Sequence, residues 1–112
     1  MRNGTVAIAC DPEAIPREER GSHAALARRL FGGRRGSVAP GMPGEGYQFE
    51  FEDVLFEDLA RWIANERRCC PFLRFTLDLR PAGGSIGLTM TGPEGTRAFI
   101  EAEMLGNYQE EN

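Results

Sequence analysis

The chain has 112 residues and a mass of 12.4 kDa, which fits one compact domain over residues 1–112. Hydrophobic residues make up 41% and charged residues 27%, a composition that excludes an intrinsically disordered or collagen-like chain. The net charge of −4 argues against nucleic acid as a partner, because surfaces that bind nucleic acid are broadly basic. No apolar run approaches the roughly 18 residues of a membrane span, so no membrane partner is predicted either.

The residue types restrict the chemistry further. All thirteen basic residues are arginines, which excludes Schiff-base catalysis through lysine. His23 is the one histidine, so a site that needs two imidazoles cannot form within one chain. Cys10, Cys69 and Cys70 make an odd number of cysteines, a poor disulfide framework for a secreted domain. Because the N-terminal apolar stretch is also too short for a secretory signal, a cytoplasmic location is predicted.

The first half of the chain predicts strand, helix, weak strand and strand. Residues 5–10 are short and partly β-branched, which favours a strand. Pro16 suits the first turn of a helix over residues 16–31, which two glycines follow. Residues 32–46 hold six glycines and two prolines, typical of a loop, with a weak edge strand over 36–39. Residues 47–51 alternate, which predicts a strand with three aromatic rings on one face.

The second half predicts helix, strand, strand and helix. Residues 53–68 form the helix, which should stop at or just before the cysteine pair because Pro71 disfavours helical geometry at Cys70. Residues 72–79 alternate, so the odd-numbered ones are predicted on the buried side. A Gly-containing turn leads to a strand whose core residues are Ile86, Leu88 and Met90. Residues 91–105 begin with a Thr-x-x-Glu capping box and are predicted to form the last helix.

The order of these elements indicates an α+β fold. The first six match the ferredoxin-like βαββαβ pattern, in which helices cover one face of an antiparallel sheet. We therefore predict a two-layer sandwich with a ferredoxin-like core. The last strand and the last helix are predicted to be additions to that core.

The second predicted helix carries an acidic residue within its apolar stripe. At about 100° per residue, Glu66 shares a face with Leu59 and Trp62 and precedes Cys69 and Cys70 by one turn. A carboxylate there needs a partner or a proton, because an isolated buried charge is costly. The stripe also includes Leu55, with Ile63 at its edge, and the opposite side comprises Glu57, Asp58, Arg61, Asn65 and Arg68.

The predicted fold also brings the three cysteines together. In a βαββαβ sheet the strand after the second helix begins beside the end of the first strand, at Cys10. The adjacent pair immediately precedes that strand, and Glu19 and His23 of the first helix could approach the same edge. Three sulfurs with a carboxylate suit a soft cation such as Hg(II), Cu(I) or Zn(II). The predicted metal site comprises Cys69 and Cys70 as main ligands, Cys10 as third ligand, and Glu66 as a ligand or proton acceptor.

Other interpretations stay open at this point. Buried cysteine often behaves as a small apolar side chain, so the three cysteines could simply pack. The chain would then be a non-catalytic interaction domain that forms a homodimer through its sheet or last helix. A thiol-dependent enzyme is a further alternative, in which the cysteine pair and Glu66 cleave a carbon–metal bond or reduce a substrate. That activity requires an open pocket at the pair, and no catalytic residue is assigned.

Two segments carry a resemblance to a known group of proteins. Residues 66–75 read ERRCCPFLRF and residues 88–95 read LTMTGPEG. In these segments the chain resembles small, uncharacterised bacterial proteins that share the signature E-R-x-C-C-P-F followed by T-G-P-x-G. The likeness extends to Cys10-Asp11, the helix from about Glu18 to Phe31, and residues 46–49. The group is loosely associated with heavy-metal resistance, so the resemblance implies importance for Cys69, Cys70 and Glu66.

Overall fold

The structure is a computed structural model that describes residues 9–32, 37–38 and 45–105. The predicted strand over residues 5–10 lies outside this part of the chain except for its last two residues, which are in neither a helix nor a strand. Most of the predicted glycine-rich loop also lies outside it. Of the weak strand predicted over residues 36–39, Ser37 and Val38 are described, and they form strand β1.

Both long helices are confirmed, with shifted ends. Helix α1 spans Arg20–Phe31 and follows a 3-10 turn at Arg17–Glu19. Helix α2 spans Phe56–Cys69 and ends at the cysteine pair, as the following Pro71 requires. Cys70 has left the helical region, although its N–H still donates to the carbonyl oxygen of Glu66 at 2.7 Å. The pair is thus split between the last helical residue and the residue that caps it.

Four antiparallel strands form the sheet. They are β1 (Ser37–Val38), β2 (Glu45–Phe51), β3 (Arg74–Leu79) and β4 (Ile86–Gly92), in the spatial order β1-β2-β4-β3. Phe49 of β2 and Leu77 of β3 both stand opposite Leu88 of β4. Directly opposed residues share a face of the sheet, so the alternating apolar residues of the three long strands line one surface.

The helices cover that apolar surface. The ring of Phe31 in α1 has its centroid 5.2 Å from that of Phe49 in β2 and 4.7 Å from that of Trp62 in α2. Trp62 in turn contacts Phe75 of β3, with centroids 6.1 Å apart. Phe31, Phe49, Trp62 and the central Leu88 are all 2% exposed or less. The predicted α+β class is therefore confirmed.

The position of β4 corrects part of the predicted order. This strand was expected as an addition to the core, but it lies in the interior of the sheet between β2 and β3. Five of the seven residues of β4 are buried, which is consistent with a place in the interior of the sheet. A ferredoxin-like order would place the strand predicted over residues 5–10 between β2 and β3, and β4 occupies that position, so the predicted ferredoxin-like order is not confirmed.

Two residues of the predicted core are exposed instead. Leu79 is 55% exposed because it is the last residue of β3, where the chain turns towards β4. Leu55 is 65% exposed because it precedes the first turn of α2 and does not share the buried face of the helix.

The predicted capping box at the last helix is wrong. Thr91 and Gly92 continue the ladder of β4, where they pair with β2. Gly95 then takes a left-handed conformation with φ of +101°, and helix α3 begins at the next residue as Thr96–Phe99. A π-helical segment, Ile100–Leu105, continues it to the predicted end. The Thr-x-x-Glu pattern therefore marks a strand end and a turn that needs glycine.

The two halves of the signature meet in space. A Cβ atom on Gly92 would overlap Oγ1 of Thr96 and lie 3.1 Å from the carbonyl oxygen of Phe72, which follows the cysteine pair. The ring of Phe72 also packs edge-to-face on Phe99 of α3, with centroids 5.0 Å apart. The T-G-P-x-G segment therefore supports the chain directly after the cysteines, and its glycines serve packing and backbone geometry.

Replacement of Gly92 by alanine is expected to lower the free energy of unfolding by about 2 kcal/mol, because the added methyl group overpacks this contact. Urea denaturation followed by circular dichroism measures the change. The matched control is Gly21→Ala in α1, where nothing lies within 4 Å of the added carbon and a gain of roughly 0.5 kcal/mol is expected. Equal effects at the two positions would contradict the close approach at Gly92.

Candidate functional site

The three cysteine sulfurs lie together at the C-terminal end of α2. Cys10 and Cys70 form a disulfide with their Cα atoms 4.5 Å apart, and Cys69 is a free, buried thiol. Sγ of Cys69 is 3.8 Å from Sγ of Cys70, and all three Sγ atoms lie within 4.8 Å of one another. The predicted meeting of the three sulfurs is confirmed, and their arrangement could hold a metal ion.

The disulfide corrects the expectation, drawn from the odd number of cysteines, that all three are thiols. The cause is local backbone geometry. The N–H of Asp11 donates to the carbonyl oxygen of Cys69 at 2.7 Å, which fixes the segment after Cys10 against the end of α2. This contact brings the Cα atoms of Cys10 and Cys70 within the range that a disulfide spans. Cys69, the last helical residue, is left as the unpaired thiol.

Glu66 finds its partner in His23 of α1. Nε2 of His23 lies 2.8 Å from Oε2 of Glu66, and the two residues are 9% and 6% exposed. The other carboxylate oxygen, Oε1, is 3.4 Å from Sγ of Cys70. One buried carboxylate therefore links the imidazole to the disulfide. The sequence predicts both residues near the cysteines. The hydrogen bond with His23 supplies the partner that the buried carboxylate of Glu66 requires.

Asn65 and Glu19 depart from their predicted positions. Asn65 was assigned to the polar side of α2 but is only 5% exposed, because the segment before α1 covers it. Its Nδ2 donates to Oε1 of Glu19 at 3.3 Å, and its Oδ1 accepts from Arg68 at 3.0 Å. Glu19 thus reaches the neighbouring Asn65, and it is not one of the residues that line the cavity beside the sulfurs.

The Cys69 thiol is held in its protonated form by its surroundings. Burial raises the pKa of the Cys69 thiol above its ordinary value, and the nearby Glu66 carboxylate raises it further. The nearby backbone N–H of Asp11 lowers the pKa and so acts in the opposite direction. The position at the C-terminus of α2 also disfavours a thiolate, because the helix dipole is negative at this end. Cys69 is therefore a poor nucleophile as it stands.

A cavity of about 510 Å³ lies against the sulfur cluster. Its inner wall contains the three cysteines, His23 and Glu66, and its other walls include apolar groups of Ile15 and Phe99. The exposed residues Pro12 and Ala24 also line it, so the cavity lies at the protein surface. The open pocket at the cysteine pair, which the sequence could not show, is present among the described residues.

Comparison of the chain with protein-family models, with curated proteins and with solved structures found no match. Within residues 9–32, 37–38 and 45–105, no helix is both long and apolar enough to cross a membrane. The function is therefore inferred from the chemistry of the site itself.

Proposed function

We propose that this protein is a small cytoplasmic thiol protein that binds a soft metal ion, such as Hg(II), Cu(I) or Zn(II), when its disulfide is reduced. The thiolates of Cys10, Cys69 and Cys70 bind the ion, and Glu66 either binds it or accepts a proton. The grouping of three Sγ atoms within 4.8 Å carries this proposal. Metal buffering, detoxification or sensing are the roles that such a site serves, and the resemblance to proteins associated with heavy-metal resistance points the same way.

The spacing of the sulfurs supports a shared ion. With a Zn–S bond of about 2.3 Å, two thiolates of a tetrahedral site stand about 3.8 Å apart. Sγ of Cys69 and Sγ of Cys70 are separated by 3.8 Å. Cys10 itself is in neither a helix nor a strand, so after reduction rotation about its side-chain bonds can separate its sulfur from that of Cys70. Thiolate is the ligand that soft ions select in proteins.

The carboxylate beside the sulfurs supports binding by thiols that are protonated in the free protein. Metal binding releases the thiol protons, so a nearby acceptor favours it. Oε1 of Glu66 lies 3.4 Å from Sγ of Cys70, and the 2.8 Å contact of Oε2 with His23 holds the carboxylate in place. Loss of a residue that orients a ligand in this way commonly lowers metal affinity by about 10-fold to 100-fold.

The charge distribution also favours a cation at this position. The C-terminal end of α2 presents carbonyl oxygens and the negative end of the helix dipole, which stabilise a positive ion and disfavour isolated thiolates. A bound ion therefore removes the cost of ionising three neighbouring thiols. The cavity beside the cluster supplies the path by which the ion enters.

Titration of the fully reduced protein with Hg(II) or Zn(II) in the absence of oxygen tests the proposal. We expect thiolate-to-metal charge-transfer absorbance that saturates at one ion per chain, together with a higher unfolding temperature, because the ion binds only the folded site. Replacement of any one of Cys10, Cys69 and Cys70 by serine should weaken metal binding by at least roughly 100-fold. Loss of a residue that only orients a ligand can already cost that much, and loss of a ligand should cost no less. The oxidised protein, in which Cys69 is the one free thiol, is the matched control.

The alternative of an interaction domain predicts the opposite result. If the cysteines only pack, then neither metal should produce saturable absorbance or raise the unfolding temperature of the reduced chain. The double variant Cys69→Ala/Cys70→Ala would then keep the oligomeric state of the parent and change only its stability. That pattern would exclude the metal site.

A further inference from the structure

The two sulfurs of the disulfide differ in accessibility. Cys70 is 1% exposed and belongs to the hydrophobic core, whereas Cys10 is partly exposed and packs against the edge of that core. Both residues line the cavity of about 510 Å³. A molecule that enters the cavity from solvent therefore meets the sulfur of Cys10 more readily than that of Cys70.

The neighbours of Cys70 increase this difference. Its sulfur is 3.4 Å from Oε1 of Glu66 and 3.8 Å from the sulfur of Cys69. An anionic thiolate that approached Cys70 would have to displace these atoms and come close to the carboxylate. Once Cys70 has been released and protonated, its thiol can donate a hydrogen bond to Oε1 of Glu66, which stabilises the product of exchange at Cys10.

The free thiol of Cys69 is not placed to open the disulfide itself. Displacement at a disulfide sulfur needs the incoming sulfur, the attacked sulfur and the leaving sulfur nearly in line. Attack by Cys69 on Cys70 in that alignment would set the sulfurs of Cys69 and Cys10 about 5.8 Å apart. All three sulfurs lie within 4.8 Å of one another, so they form a compact triangle. The exchanging thiol must therefore come from outside the cluster.

We propose that the Cys10–Cys70 disulfide exchanges with low-molecular-weight thiols, and that the attack is directed at Cys10. The thiolate of the small molecule forms a bond to Sγ of Cys10, the Cys10–Cys70 bond breaks, and its electron pair stays on Sγ of Cys70, which takes up a proton. A second small thiolate attacks the mixed disulfide at its small-molecule sulfur, and Cys10 leaves as a thiolate that is protonated in turn. Two small thiols become one small disulfide, and their two protons end on Cys10 and Cys70.

The cavity sets the size of the reaction partner. A volume of about 510 Å³ accommodates a peptide-sized thiol such as glutathione and is within the range of small-molecule sites. The core packing around Cys70 excludes a larger partner from the second sulfur. This activity does not depend on metal binding, although its product is the reduced form on which the proposed metal site depends.

Mixing the oxidised wild-type protein with glutathione, quenching with acid and mapping the adducts by mass spectrometry tests the direction of attack. We expect the glutathione mixed disulfide on Cys10, with Cys70 recovered as a thiol, and at least tenfold less adduct on Cys70. Protein unfolded in guanidinium chloride is the control, and its two cysteines should react comparably. Equal labelling in the folded protein, or a predominant adduct on Cys70, overturns the proposal, as does a folded disulfide that resists glutathione entirely.

Variants in which one cysteine is replaced by serine give an independent measurement of how fast each sulfur reacts. Each variant is mixed with oxidised glutathione, and the rate at which a mixed disulfide forms is measured. Cys70→Ser leaves Cys10 without its partner, and Cys10 should react with oxidised glutathione. In Cys10→Ser, the reaction at Cys70 should be at least tenfold slower. The unfolding transition of each variant shows that it is folded. Since the metal titration uses fully reduced protein, it can succeed or fail independently of these rates.

Discussion

Reduction of the Cys10–Cys70 disulfide is expected to lower the free energy of unfolding by about 4 kcal/mol, because the bond joins residues 60 positions apart in the sequence. A cross-link over such a separation removes much of the chain entropy of the unfolded state. The effect is large compared with the total stability of a domain of this size, which is commonly about 5–15 kcal/mol. The reduced protein is therefore expected to be marginally stable without a ligand.

Urea denaturation of the oxidised and reduced protein measures this loss. Cys69→Ser is the matched control, because it removes a cysteine and leaves the disulfide intact. Addition of Zn(II) or Hg(II) to the reduced protein should recover stability in proportion to metal affinity. An unchanged denaturation midpoint on reduction would show that the bond constrains neither the native nor the unfolded chain.

Truncation of Glu66 to alanine is expected to destabilise the oxidised protein by about 3 kcal/mol, because it leaves the buried imidazole of His23 without its partner. Nε2 of His23 contacts Glu66 at 2.8 Å, and the other ring nitrogen, Nδ1, is buried without a hydrogen-bond partner among the described residues. Within the described part of the chain, the imidazole therefore has no second hydrogen bond to compensate for the loss. Thermal unfolding monitored by circular dichroism gives the value.

A double substitution separates the pair from its individual residues. In His23→Leu/Glu66→Met both polar groups are replaced by apolar groups of comparable size, which is often close to neutral for a buried pair. We expect the double variant to be more stable than Glu66→Ala, while metal binding by its reduced form is weakened. If the double variant is as unstable as Glu66→Ala, then loss of the His23–Glu66 hydrogen bond itself, and not the unpaired imidazole, explains the cost.

The elements of this fold were predictable because their patterns are local. The alternation of aromatic residues over 47–51 and the apolar stripe of α2 each require only the period of one strand or helix. The interior position of β4 was not predictable in this way, because strand order depends on contacts between distant segments. The helix start predicted at Thr91 is also wrong because of a distant contact, since pairing of Thr91 with β2 outweighs the local preference for a helix start.

The sequence predicts which residues meet at the site, but it does not predict that Cys10 and Cys70 form a disulfide. Helical periodicity places Glu66 one turn before the cysteine pair, and an expected chain path brings Cys10 beside it. Whether two neighbouring sulfurs form a bond depends on the Cα separation and on the direction of the two Cβ atoms, which no sequence pattern specifies. Burial of Asn65 escaped the helical wheel because its hydrogen bonds with Glu19 and Arg68 allow a polar residue to face a packed surface.

The bond between Cys10 and Cys70 has a further consequence for how the chain responds to proteolysis. It closes a covalent ring that contains α1, β2 and α2, whereas β3, β4 and α3 follow the ring in the sequence. A single backbone cut within the ring leaves both fragments joined by the disulfide, whereas a cut in the exposed turn at residues 81–84 leaves β4 and α3 without a covalent link to the rest of the chain. Oxidation therefore keeps the two fragments of a chain that is cut between Cys10 and Cys70 joined, and reduction releases them.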